Sequence, residues 1–161
     1  MKRIQISVAL FLSFALLAAC QATHPRAAPA PVDEDAAALS LEQATDPCAM
    51  RMQDIIGQLL AYYAIHADLP ANLAALRPLA DPGMDTTYTC PVSGEPYVYI
   101  PGGAAANGLR DRLILYDAVP VHHGLRWAVT MKPPIAGQVQ MFVIPLSDRL
   151  LKAYLPNAGG G

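Results

Sequence analysis

Apolar residues recur at helical spacing in one stretch of the chain and alternate with polar residues in another. Over residues 47–67 they fall three or four positions apart, which predicts a long helix with one broad apolar face. Asp46 and Pro47 predict where this helix begins, because aspartate is a frequent N-cap and proline is tolerated in the first turn. A short second helix is predicted to begin at Pro70 and to end before Pro78, since proline disfavours helical geometry in the residue before it.

Four strand candidates follow a loop that turn-forming residues mark at positions 81–94. They cover residues 97–100, 112–118, 125–132 and 139–144, and a last short helix covers residues 147–154. The third candidate alternates cleanly, with Trp127 and Val129 on one side and Ala128 and Thr130 on the other. Helices that precede a run of strands are typical of the α+β class. We therefore predict a long N-terminal helix packed on a mainly antiparallel four-stranded sheet, with a short C-terminal helix.

Residues 1–19 have the composition of a removable export signal. Lys2 and Arg3 supply a positive start, and residues 8–18 supply an apolar run that is too short for a stable transmembrane helix. The run ends in Leu-Ala-Ala-Cys at residues 17–20, which closely resembles the lipobox of bacterial lipoproteins. That resemblance implies cleavage before Cys20, diacylglycerol on its sulfur, and a further acyl chain such as palmitate on the new amino terminus. Two or more acyl chains hold a protein stably at a membrane.

The mature chain divides into a tether, one domain and a tail. Residues 20–44 are rich in alanine and proline and predict an extended spacer, residues 45–156 hold the domain, and residues 157–161 are a flexible tail. Gln21, rather than aspartate, follows the lipobox cysteine, which resembles lipoproteins sorted to the outer membrane rather than the inner one.

Charge narrows the choice of partners. Loss of Lys2 and Arg3 with the signal takes the formal net charge from −2 to −4. No basic cluster is dense enough to follow a phosphate backbone, so nucleic acid is excluded as a partner. The same composition offers no basic patch to an anionic lipid surface, so the membrane is reached through the lipid anchor.

Cys48 and Cys90 are the two cysteines that remain, an even number in an oxidising compartment. A disulfide between them would close a loop of about 42 residues and stabilise the fold by about 4 kcal/mol on the chain-entropy argument. Two buried free thiols are the alternative, because buried cysteine is common without a bond. The Cys-x-x-Cys spacing of thiol-exchange proteins does not occur, which argues against that chemistry.

Several short sequence segments in the domain resemble segments of the globular heads of type IV prepilin-like proteins, especially the type II secretion pseudopilins. Residues 58–67 are similar to the second half of the pilin spine helix, and residues 69–76 to the Leu-Pro-x-x-Leu-x-x-Leu phrase that follows it. Residues 90–99 are similar to the turn that opens the sheet. From there to Val139, the order of strand, His-Gly turn, strand, Gly turn and strand resembles the prepilin-type proteins abundant in planctomycetes.

The resemblance covers about residues 50–155 and implies a pilin-like head. The chain lacks the prepilin-peptidase site and the long apolar spine that a filament subunit needs, and Ala136-Gly137 stands where the family has Asp-Gly. The resemblance therefore implies a lipid-anchored, non-enzymatic accessory of the cell envelope, beside a secretion or pilus-like apparatus. A small-molecule or glycan-binding lipoprotein of the periplasm is the alternative.

Five residues are candidates for interaction, whereas no residue set predicts catalysis, a metal or a cofactor. The candidates are Tyr97, Tyr99, His122, His123 and Trp127, whose aromatic rings form either a binding surface or, at strand spacing, part of the core. Adjacent residues on a strand point to opposite faces, so His122 and His123 are not expected to share a metal ion. The serines lie outside any Gly-x-Ser-x-Gly elbow and the acids lie at strand ends, so we expect no enzyme activity.

Overall fold

The computed structural model of the protein describes residues 42–156. The export signal, Cys20, the spacer up to residue 41 and the tail from residue 157 lie outside the described residues. Within that range, no helix is both long enough and apolar enough to cross a membrane. The elements are helix α1 (Pro47–His66), a 3-10 helix (Leu73–Leu79), strands β1 (Val98–Ala105), β2 (Arg112–Tyr116), β3 (Arg126–Met131) and β4 (Met141–Leu146), and helix α2 (Asp148–Tyr154).

Helix α1 begins and ends close to the predicted positions. Asp46 caps its amino end with its side chain, which satisfies backbone N–H groups that have no partner within the helix. It ends at His66, because Ala67 has a left-handed backbone with φ at +54° and its N–H bonds to the Tyr63 carbonyl. The apolar face is fully buried in the main core at Cys48, Ala49, Met52, Ile55 and Leu59.

The four strands form one antiparallel sheet whose order follows the chain, β1-β2-β3-β4. Alternate side chains of β3 point to opposite faces of this sheet, and both faces are covered by a core. Trp127, Val129 and Met131 join α1 in the main core, and Ala128 joins Tyr154 of α2 in a second core on the other face. The predicted α+β class is confirmed, with a long helix packed on an antiparallel four-stranded sheet and a short helix at the end.

The second helix differs from its prediction in type and in where it ends. It is a 3-10 helix that begins after Asn72, whose side chain accepts a hydrogen bond from the Ala75 N–H at 3.3 Å. Pro78 lies inside it instead of ending it. The element stops one residue later, so the missing proline N–H removes a single bond from the final turn and the turn persists.

Strand β1 is longer than the predicted segment 97–100, because it continues through Pro101 and two glycines to Ala105. Its register with β2 shifts between Tyr99 and Ala104, which marks a bulge. Among the described strands, β1 pairs with β2 alone and is therefore an edge strand, where a proline without an N–H is tolerated. The predicted end at residue 100, just before Pro101, is therefore wrong.

Gly103→Ala should destabilise the protein more than Gly102→Ala. Both glycines have a left-handed backbone, with φ at +73° and +72°, so alanine is strained at either position. A Cβ on residue 103 would also lie 2.6 Å from Ile114 Cδ1, whereas residue 102 has nothing within 4 Å. We expect a further loss of about 1 to 3 kcal/mol for Gly103→Ala, measured by urea unfolding. Equal losses in the two variants would contradict the close approach of β1 to β2.

Candidate functional site

The amino end of α1 presents a carboxylate that makes contacts in two directions. Asp46 Oδ1 accepts hydrogen bonds from the backbone N–H groups of Cys48 at 2.8 Å and Ala49 at 3.0 Å. Its other oxygen, Oδ2, lies 2.8 Å from Nδ1 of His122, which belongs to the connection between β2 and β3. The residue that caps the helix therefore also orients the histidine, with Nδ1 as the donating nitrogen.

A tight turn gives the two adjacent histidines different environments. Backbone hydrogen bonds at 3.2 and 2.9 Å join His122 and Leu125 in both directions. His123 and Gly124 between them have φ at +52° and +82°, and left-handed φ at both central residues is what a type I′ turn requires. His122 is buried and His123 is exposed, so the two rings do not converge on one site.

Asp117 joins the end of β2 to the start of β3 through its backbone and its side chain. Its backbone N–H donates to the Trp127 carbonyl at 3.0 Å, and its Oδ2 accepts from the backbone N–H of Trp127 at 2.8 Å. The same oxygen lies 3.4 Å from Nε2 of His122, and the indole and imidazole centroids are 5.9 Å apart. The imidazole therefore lies between the carboxylates of Asp46 and Asp117.

A disulfide between Cys48 and Cys90 completes the arrangement. It connects the first turn of α1 to the loop before β1, with Cα atoms 5.4 Å apart. The two sulfurs, a carboxylate oxygen of Asp117 and a ring nitrogen of His122 all lie within 4.8 Å of one another. Asp117 Oδ1 and His122 Nε2 are buried without a hydrogen-bond partner. We call Cys48, Cys90, Asp117 and His122, together with the partly exposed Asp46 that contacts His122, the buried cluster.

Loss of water on burial controls the pKa of Asp117 in the buried cluster and of Tyr97 beside it. Burial raises the pKa of Asp117, although the Trp127 N–H and the nearby His122 both act to lower it. Burial also raises the pKa of Tyr97, whose hydroxyl donates to the Cys48 carbonyl at 3.5 Å. The folded protein therefore keeps a proton on the Asp117 carboxyl at pH values where the unfolded chain has released it.

Asp117→Asn should change how the free energy of unfolding depends on pH. A folded pKa above the ordinary value of 3.8 means that the stability from this group is complete below that pH and is lost as the pH rises through the folded pKa. Asparagine does not titrate, so the variant should become more stable relative to the wild type as the pH rises from about 4 through the folded pKa of Asp117, by about 1.4 kcal/mol for each unit by which that pKa is raised. Urea unfolding across that range measures this, with Asp54→Asn on the exposed side of α1 as the control. A constant difference between variant and wild type would contradict the raised pKa.

The five candidate interaction residues do not form one surface in this structure. Tyr97, just before β1, and Trp127 of β3 are 6% and 2% exposed, because both side chains pack in the main core. Tyr99 is half-buried, and its hydroxyl donates to a backbone carbonyl at 2.7 Å; burial raises its pKa to about 12. His122 belongs to the buried cluster, and His123 at the tip of the turn is exposed.

Among the residues that the structure describes, a small crevice lies next to the buried cluster and two wider depressions lie elsewhere. A crevice of about 20 Å³ lies beside His122 and Trp127 and has room for roughly one water molecule. Two open depressions of about 410 and 320 Å³ lie elsewhere, the first lined by Met50 and Gln53 and the second by Leu60 and Tyr63, among others. The buried cluster is thus built to hold groups in place or to take up something as small as an ion.

The sequence singles out His122 and both cysteines but not the carboxylates that surround the histidine. It predicts a helix cap at Asp46, and Asp117 is one of the acids that it places at strand ends. The His-Gly turn was the available signal, because a tight turn at this point turns one histidine inward and the next outward.

Comparison of the chain with protein-family models, curated proteins and solved structures gave no significant match. The functional assignment therefore depends on the residues of this chain and on their arrangement.

Proposed function

We propose that the protein is a lipid-anchored cell-envelope protein whose α+β head is a non-enzymatic interaction module, an accessory of a secretion or pilus-like apparatus. The lipobox-like residues 17–20 and the alanine- and proline-rich spacer support the anchor. The pilin-like order of helix, turn and strands supports the proposed association with a secretion or pilus-like apparatus. The partner would be another protein of the envelope.

The observation that carries the interaction role is a set of exposed apolar side chains on loops that the buried cluster fixes. Val92 lies two residues after Cys90, Val119 two residues after Asp117, and Leu125 three residues after His122, and each of the three is exposed. We call Val92, Val119 and Leu125 the apolar loop residues. Loops tied by a disulfide and by buried contacts between a histidine and carboxyl groups lose little conformational freedom on binding, which favours association.

Site-specific photo-crosslinking tests this role in the cells that make the protein. A benzophenone amino acid at Leu125 or Val119 places the reactive group at one of the apolar loop residues. The matched control is Ile65, which is also apolar and exposed but lies near the far end of α1, about 28 Å along a helix of this length.

Supporting results are adducts at Leu125 or Val119 that mass spectrometry identifies as secretion or pilus-assembly components and that are absent at Ile65. The proposal fails if these positions give no adduct, or if all three positions give the same adducts. Soluble glycans that suppress the adducts at Leu125 would instead favour a binding protein for small ligands.

A further inference from the structure

We propose that reduction of the Cys48–Cys90 disulfide converts the buried cluster into a tetrahedral zinc site. The four ligands are the two cysteine sulfurs, Nε2 of His122 and a carboxylate oxygen of Asp117. Sulfur, imidazole and carboxylate are the groups that bind Zn²⁺ in proteins, and four of them complete a closed, structural type of site. This inference stands independently of the proposed interaction role.

The distances among these four groups suit a shared ion. They all lie within 4.8 Å of one another before any ion is bound. Metal–ligand bonds of about 2.0 to 2.3 Å place the ligands of a tetrahedral site about 3.3 to 3.8 Å apart. The sulfurs must move from a bonded separation of about 2.05 Å to about 3.7 Å, which side-chain rotation supplies because the Cα atoms are already 5.4 Å apart.

Two of the ligand atoms are without a hydrogen bond, although His122 Nε2 has a longer contact with Asp117 Oδ2 at 3.4 Å. Asp117 Oδ1 and His122 Nε2 are buried and make no hydrogen bond, although a buried polar atom without a partner costs about 1 to 3 kcal/mol. Asp117 is 0% exposed, so bulk water does not reach its Oδ1. A bound cation would satisfy both atoms at once.

The groups that normally orient zinc ligands are already in place. A zinc-bound histidine usually donates its other N–H to a carboxylate, and His122 Nδ1 lies 2.8 Å from Asp46 Oδ2. A zinc-bound carboxylate is usually hydrogen-bonded in turn, and Asp117 Oδ2 accepts the Trp127 N–H at 2.8 Å. Cys48 lies in the first turn of α1, where the positive end of the helix dipole stabilises a thiolate.

The redox step balances with a dithiol as reductant. Two electrons and two protons pass from the dithiol to the disulfide, which becomes two thiols while the dithiol becomes its own disulfide. Zn²⁺ then displaces the two thiol protons and binds the sulfurs as thiolates. In the disulfide form both sulfurs are already bonded, so the same residues cannot bind the ion in this way. The site is therefore open to zinc only under reducing conditions.

Cobalt substitution in the full chain, extracted in detergent, tests this proposal. The protein is reduced with a phosphine, freed of reductant without oxygen, and titrated with Co²⁺, whose tetrahedral thiolate complexes absorb strongly in the visible and near ultraviolet. Cys20→Ser, assayed in parallel, excludes a sulfur from outside the domain. The variants are His122→Asn, which removes a ligand, and His123→Asn, which changes the adjacent exposed histidine.

We expect the reduced chain to bind a single Co²⁺ ion, to show these absorption bands, and to release the Co²⁺ when Zn²⁺ is added. The oxidised chain should show no bands. His123→Asn should bind like the wild type and His122→Asn should weaken binding at least about 100-fold, while Asp46→Asn, which can still cap α1, should weaken it about 10-fold. Reduced protein that is folded by circular dichroism but gives no bands would overturn the proposal. So would bands that His122→Asn retains, or a reduced, unfolded chain that Zn²⁺ does not refold.

Discussion

Replacing Cys48 and Cys90 together by alanine should lower the free energy of unfolding by about 4 kcal/mol. The disulfide spans 42 residues, from the first turn of α1 to the loop before β1. It therefore restricts the unfolded chain over the whole segment that holds α1 and the 3-10 helix. The loss is a large fraction of the total stability expected for a domain of this size. Guanidinium unfolding of the wild type and the double variant measures it.

Reduction of the wild type supplies the matched comparison for the cysteine variant. A reductant should destabilise the wild type by a similar amount in the absence of metal ions, and should leave the double alanine variant unchanged. A loss below about 1 kcal/mol on the double substitution would show that the cross-link does not constrain the unfolded chain as the entropy argument requires.

His122→Asn should lower the free energy of unfolding by about 3 kcal/mol, because it removes the group that lies between two carboxylates. Asp117 would remain fully buried with only the Trp127 N–H as its partner. Asp46 would keep its bonds to the helix amino end but lose its contact with the hairpin. Asparagine is too short to reach both carboxylates from this position. Urea unfolding near neutral pH measures the change.

His123→Asn is the control for this variant. His123 is exposed and has φ at +52°, a conformation that asparagine tolerates better than most residues, so we expect a change within about 0.5 kcal/mol. Equal losses for the two histidine variants would contradict the burial of one ring and the exposure of the other.

The main elements of the fold could be predicted from periodicity, because each has a clear apolar pattern over many residues. Helix α1 begins at the predicted Asp46-Pro47 cap and ends one residue before the predicted position. The errors came from proline. The sequence predicts that elements end just before Pro78 and Pro101, whereas the first proline lies in the last turn of a 3-10 helix and the second lies on an edge strand. At both places, a missing backbone N–H removes at most one hydrogen bond from the element.

The buried cluster could not be predicted, because its members come together only if three structural conditions hold at the same time. Asp46 reaches His122 only if α1 lies across the sheet with its amino end at the β2–β3 hairpin. The turn at His123 and Gly124 must also direct the first histidine inward. Asp117 must follow β2 in register with Trp127, which is a matter of strand pairing rather than of local sequence.

The lipid anchor is the claim on which the proposed role depends most, and intact-mass spectrometry of the protein extracted from membranes tests it most directly. The account predicts that the wild-type chain begins at Cys20 and carries the mass of diacylglycerol with a further acyl chain. The Cys20→Ser variant should keep residues 1–19 and carry no lipid. A chain recovered from the soluble fraction without added lipid, or one that keeps residues 1–19 in the wild type, would contradict it.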